Sequence, residues 1–126
     1  MNAPDSAPAA KPLVDFDQLQ SACDGDVGLM RELVELYFRQ AAEIMGGLDV
    51  AIKTGEIPEV DHLAHKLAGS SLACGMSAVV APSRALEQGA KAGHLQNAGV
   101  FYAQACEQIQ AVREHVQEYL RRQPSQ

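Results

Sequence analysis

Positive charge is scarce in this chain. Ten lysines and arginines stand against sixteen aspartates and glutamates, a formal net charge of −6 at pH 7 with a sequence pI near 5.1. A nucleic-acid binder needs a basic patch or stripe, and docking on an anionic membrane surface needs clustered cations, so this balance argues against both. The cysteines are three, Cys23, Cys74 and Cys106, widely spaced and without a Cys-x-x-Cys pair. That argues against a disulfide framework and against a cysteine zinc site; reduced thiols packed as small hydrophobes are expected. No apolar run approaches the ~20 residues that cross a bilayer. The opening Met1-Asn2-Ala3-Pro4-Asp5 shows neither the basic nor the apolar region of a signal peptide, so a cytoplasmic location is expected. Tryptophan is absent, no internal repeat is visible, and nothing reads as a strand.

What is present fits one domain with one core: 126 residues, 47% of them apolar. Residues 1–12, with Pro4, Pro8 and Pro12, read as a disordered lead or the end of a linker, 13–122 as the folded domain, and 123–126 as a disordered tail. The Met1 start and polar ends favour a free-standing protein. The folded part reads as helices throughout. Asp15 with Gln18 suggests a capping box opening a short helix through Cys23. Asp26 caps a long helix with Leu29, Leu33, Leu36, Tyr37, Ile44, Leu48 and Ile52 as its apolar stripe, ending at Thr54-Gly55. Pro58 opens a third helix that turns Val60, Leu63, Ala64 and Leu67 inward and runs to about Leu72, with Gly75 in the following turn. Ser77 is placed to cap a fourth through about Ala90, in which Pro82 either kinks the helix or delays its start. The last, from about Gln96 to Arg122, carries Ala98, Phe101, Tyr102, Ala105, Ile109, Val112, Val116 and Leu120. Brief connections between such helices predict an all-α antiparallel four-helix bundle with a short additional N-terminal helix.

The third helix holds the chemistry. Its run Ala64-His65-Lys66-Leu67-Ala68-Gly69-Ser70-Ser71 sets a glycine one turn beyond a histidine. At about 100° per residue, His65 lies about 150° from the centre of the apolar arc and Gly69 about 170° from it, so both face outward. Glycine inside a helix costs roughly 1 kcal/mol relative to alanine, and a bare spot beside an outward imidazole suggests that something large approaches the ring. The bland alternative is a surface histidine beside an incidental glycine. His62, one turn earlier, reads as solvated, as a second nucleophile or as a metal partner; His94 and His115 have no partner that the sequence reveals.

With these residues in view, the chain resembles the histidine-containing phosphotransfer (HPt) domains of two-component phosphorelays. His65, Leu67, Gly69, Ser70, Ser71 and the further glycine Gly75 follow that family's pattern around its phosphorylated histidine. Leu86-Glu87 fits a Leu-Glu or Leu-Gln pair in the next helix, and Asp24-Gly25-Asp26 with the helix from Leu29 to Phe38 fits the family's upstream segment. One position departs: the lysine usual three residues after the histidine is Ala68.

The resemblance implies a phosphocarrier rather than an enzyme. His65 would accept a phosphoryl group from a receiver-domain phosphoaspartate and pass it to another receiver. It implies response-regulator receiver domains and possible hybrid histidine kinases as partners, no cofactor bound by this chain, and Mg²⁺ supplied by the receiver. It also implies Glu87 as the group orienting the ring. Gly69 would give clearance, Ser70 would bond a phosphoryl oxygen or its own backbone, Lys66 and Arg84 would form a basic rim, and Leu72 would sit in an apolar docking patch. A monomer is expected. Two rivals stand beside this reading. One is a metal-binding bundle using the Glu59-to-His62 Glu-x-x-His spacing, which lacks the second copy that such sites require. The other is an HPt-like interaction module that binds a receiver or kinase without carrying phosphate, which the alanine at position 68 keeps open.

Overall fold

A computed structural model describes residues 12–124; of the expected disordered tails, 1–11 and 125–126 lie outside the described residues. Five helices follow one another, with no strand among the described residues: α1 (Phe16–Ala22), α2 (Val27–Thr54), α3 (Ile57–Ala73), α4 (Ser77–Lys91) and α5 (Ala98–Arg121). Helices α2 to α5 make a bundle in which α3 packs most extensively on α4, and α2 and α5, the one side formed by helices not consecutive in the chain, meet least closely. The core runs through Tyr37, Leu48, Leu67, Val79, Leu86, Val112 and Val116, all buried.

The ends of the helices follow from their residues. The Asp15 carboxylate accepts from the Gln18 N–H, and the Asp26 carboxylate from the Leu29 N–H, satisfying donors that the first turn leaves open. The predicted capping box is only half formed, because the Gln18 amide donates instead to the Ala73 carbonyl and ties α1 to the end of α3. Ser77 does not cap α4: it is the first helical residue, Met76 holds the cap position, and no side chain bonds there. Pro82 lies inside α4, which continues from Ser77 to Lys91. Gly75, at φ +77°, makes the turn between α3 and α4, and its carbonyl accepts from the Asp15 N–H at 2.7 Å. A Cβ there would strike the Asp15 backbone, so both conformation and space demand glycine. The short α1 thereby closes one end of the bundle, with Phe16 stacked on Tyr119 of α5 at 4.2 Å.

The stripe expected for α2 is rotated. Leu29 and Leu36 are exposed, whereas Met30, Val34, Phe38, Ala41 and Met45 join Tyr37, Ile44 and Leu48 inside. Leucines on this helix fit a period of three and four, but so do its methionine, valine and alanine positions one residue along. Contact with both α3 and α5 selects the second set. Cys23 and Cys74 are buried as expected of small hydrophobes; Cys106 is exposed on α5.

Candidate functional site

The α3–α4 seam is antiparallel and carries a ladder of charged and polar pairs. Asp61 on α3 meets Lys91 on α4, with Nζ 3.2 Å from Oδ1. One turn along α3, and one turn back along α4, His65 Nδ1 lies 2.7 Å from Glu87 Oε2. The Glu87 side chain is only 7% exposed, whereas that of His65 is 67% exposed. The second Glu87 oxygen accepts from Arg84 Nη1 at 2.9 Å, and Lys91 Nζ stands 3.8 Å from Oε2. A buried carboxylate is thus shared by an imidazole and a guanidinium, with an ammonium at its edge.

The electrostatics fix the proton on the ring. The hydrogen bond from His65 holds the Glu87 carboxyl below its ordinary value, burial opposes that shift, and Arg84 adds to it. Glu87 is therefore an ionised acceptor, which obliges Nδ1 to carry the hydrogen. In the neutral imidazole the lone pair then sits on Nε2. With Nδ1 turned to a buried carboxylate and most of the side chain in solvent, Nε2 is the nitrogen presented outward. The arrangement offers an accessible, oriented nitrogen nucleophile, with a negative group behind it to balance positive charge gained by the ring.

Gly69 and Leu72 share the His65 face of α3, one and two turns on. Nothing lies within 4 Å of where a Gly69 Cβ would sit, so the surface beside the ring is open. Leu72 is 52% exposed. Lys66 is exposed and forms no ion pair among the described residues, so it is not brought to the His65–Glu87 pair. Ser70 bonds neither ring nor backbone: its hydroxyl donates to Gln40 Oε1 of α2 at 3.3 Å. Its neighbour Ser71, fully buried, shares a 2.7 Å hydrogen bond with the Tyr37 hydroxyl and pins α2 to α3. Burial pushes the Tyr37 hydroxyl up to about 12, so it stays protonated and able to donate. Ala68 is fully buried.

Sequence reasoning missed Asp61 and Lys91 as partners along this seam, and Leu36 as an exposed side chain. The signal for the first two lay in the antiparallel step itself: once His65 meets Glu87, the turn before the histidine must meet the turn after the glutamate. His62 and His94 are exposed, and His115 packs its ring 5.5 Å from that of Phe16, far along the chain from the seam. Among the described residues no three His, Cys, Asp or Glu side chains gather as a metal site, and no helix is long and apolar enough to cross a membrane.

A family model described as the Hpt domain matches residues 32–119. The chain is also similar to a solved structure, histidine-containing phosphotransfer protein B (HptB) from Pseudomonas aeruginosa PAO1. The two superpose with a TM-score of 0.82 at 23% sequence identity, covering 91% of this chain and 100% of that one, a likeness of fold. No curated protein matches.

Proposed function

The chain belongs to the Hpt domain family, whose role is histidine phosphotransfer in phosphorelays, and on that premise we propose that Nε2 of His65 is the phosphoryl acceptor. The donor is the phosphoaspartate of a receiver domain and the onward acceptor is a second receiver. The observation that carries this reading is the 2.7 Å contact between His65 Nδ1 and the buried Glu87 carboxylate, with the rest of the ring exposed.

In the transfer the Nε2 lone pair forms the N–P bond as the O–P bond to the donor aspartate breaks, and the aspartate leaves as a carboxylate with that electron pair. No proton need move. The product is a phosphoimidazole that keeps its Nδ1–H and carries positive charge on the ring, next to ionised Glu87. Phosphoryl transfer asks mainly for alignment and charge neutralisation, so an oriented ring is the main contribution required of this chain. The receiver supplies Mg²⁺ and its own active-site groups. The open space at Gly69 admits the partner's active site, and Leu72 supplies apolar contact beside it.

The test is direct. The protein is incubated with a labelled, phosphorylated receiver domain and Mg²⁺. Acid-labile, alkali-stable label on the wild type and none on His65→Gln is the expected result. Equal label on His65→Gln would assign the wrong residue, and an unlabelled wild type with every donor tried would leave a non-carrying interaction module.

A further inference from the structure

We infer that Arg84 is the cation that binds the phosphoryl group on His65, a step that rests on the reading of His65 as acceptor. The seam gives the placement. Asp61 pairs with Lys91, and His65 with Glu87. The next turn in the same antiparallel register sets Ala68 of α3 opposite Arg84 of α4. Ala68 is fully buried and contributes no charge. Its methyl leaves the width of the seam at that turn to the side chain from the other helix. The α4 cation at that level, on the Gly69 side of the ring, is Arg84, held there by Glu87 Oε1.

The other two cations near the ring are differently placed. Lys91 is committed to Asp61 and flanks Glu87, on the side of the ring away from Gly69. Lys66 is exposed next in sequence to His65, about 100° around the helix from it. Arg84 is 39% exposed, and among the described residues its side chain makes one hydrogen bond, through Nη1 to Glu87. A guanidinium has five N–H donors in one plane. One edge can hold the carboxylate while another meets phosphoryl oxygens two at a time, a geometry that an ammonium does not reproduce. Glu87 then links two tasks: one oxygen orients the ring, and the other holds the phosphoryl-binding arginine beside it.

The experiment measures label uptake from a phosphorylated receiver domain in four proteins, each checked by thermal melting, with the His65 tautomer read by side-chain ¹⁵N NMR. They are the wild type, Arg84→Ala, Arg84→Lys, and the double variant Ala68→Lys with Arg84→Ala. The last returns a cation to the same level of the seam from the opposite helix. Arg84→Ala is expected to slow uptake by about tenfold or more, the loss of one charge-assisted hydrogen bond, with the Nδ1–H tautomer kept. Arg84→Lys is expected between the two, and the double variant to regain at least half of the loss on a logarithmic scale. Uptake by Arg84→Ala at the wild-type rate overturns the inference. So does slow uptake with an altered tautomer, or a folded double variant no faster than Arg84→Ala. If the double variant does not fold, Arg84→Lys decides: faster than Arg84→Ala supports the role, and equal to it overturns it. An unlabelled wild type would instead be the failure of the acceptor assignment at His65.

Discussion

Two seams of the bundle hold arginines, and they use them differently. Between α2 and α5, Arg113 lies over the Phe38 ring with its guanidinium carbon 4.4 Å from the centroid, and Arg31 donates to the Leu120 carbonyl near the end of α5. Both line an open groove of about 650 Å³ that also holds Glu32, Glu35 and Arg39. Between α3 and α4, Arg84 serves a buried carboxylate that itself serves an exposed imidazole. The first seam uses cations to cover an aromatic face and finish a helix end, which is structural chemistry. The second aligns them in a closely packed register with an exposed imidazole held by a buried carboxylate. What separates a site from a surface in this bundle is the company of each arginine.

That contrast can be broken or sharpened by substitution. The largest effect is expected from Glu87→Ala. The ring loses its fixed tautomer and orientation, and phosphoryl uptake should fall by up to roughly 100-fold, the scale of a misplaced reacting group. A stopped time course with labelled receiver reads it; uptake within twofold of wild type would remove Glu87 from the mechanism. Gly75→Ala comes next and acts on stability. A forced left-handed φ and a clash with the Asp15 backbone should cost on the order of 2 kcal/mol in urea unfolding. Gly69→Ala should do the reverse. Its Cβ meets nothing in the free protein, so the helix gains about 0.5–1 kcal/mol. The longer Gly69→Leu should fold as well and yet take up phosphate slowly, as the proposed docking of a partner over this clearance requires. Unimpaired transfer in Gly69→Leu would sink the docking role. Last, Arg113→Ala should lose a comparable amount, about 0.5–1 kcal/mol of stability, with the Phe38 contact and leave transfer unchanged.

Acid probes the second seam through Glu87. Glu87 has a depressed value in the folded state, so its stabilising contribution is complete above its ordinary value of 4.5 and is lost as pH falls through the lower folded value. Unfolding free energy measured from pH 6 down to 2 should therefore fall less steeply in Glu87→Gln than in the wild type. Parallel curves would mean that the carboxylate gains nothing from its neighbours.

Much of this was legible in the residues. Helix positions followed from Asp15, Asp26, Pro58 and the glycines at 55 and 75, whose φ values are both positive. The outward placement of His65 followed from the wheel, since Val60, Ala64 and Leu67 are indeed fully buried. Less legible was anything decided between helices. The α2 stripe was displaced because leucine spacing alone cannot choose between two overlapping faces, and packing against two neighbours chose the one that leaves Leu29 and Leu36 outside. Ala68 looked like a missing surface cation; it is buried, on the level of Arg84. Ser70 found Gln40 on another helix, a partner that local spacing cannot supply.

The central claim is that His65 takes phosphate on Nε2 while Nδ1 keeps its hydrogen toward Glu87. Long-range ¹H–¹⁵N spectra of the histidine side chains, recorded before and after phosphorylation by a receiver domain, test it most directly. The expected result is a phosphorus coupling confined to Nε2 of His65, with His62, His94 and His115 unmodified. Phosphorus on Nδ1, or on any of the other three histidines, would contradict it.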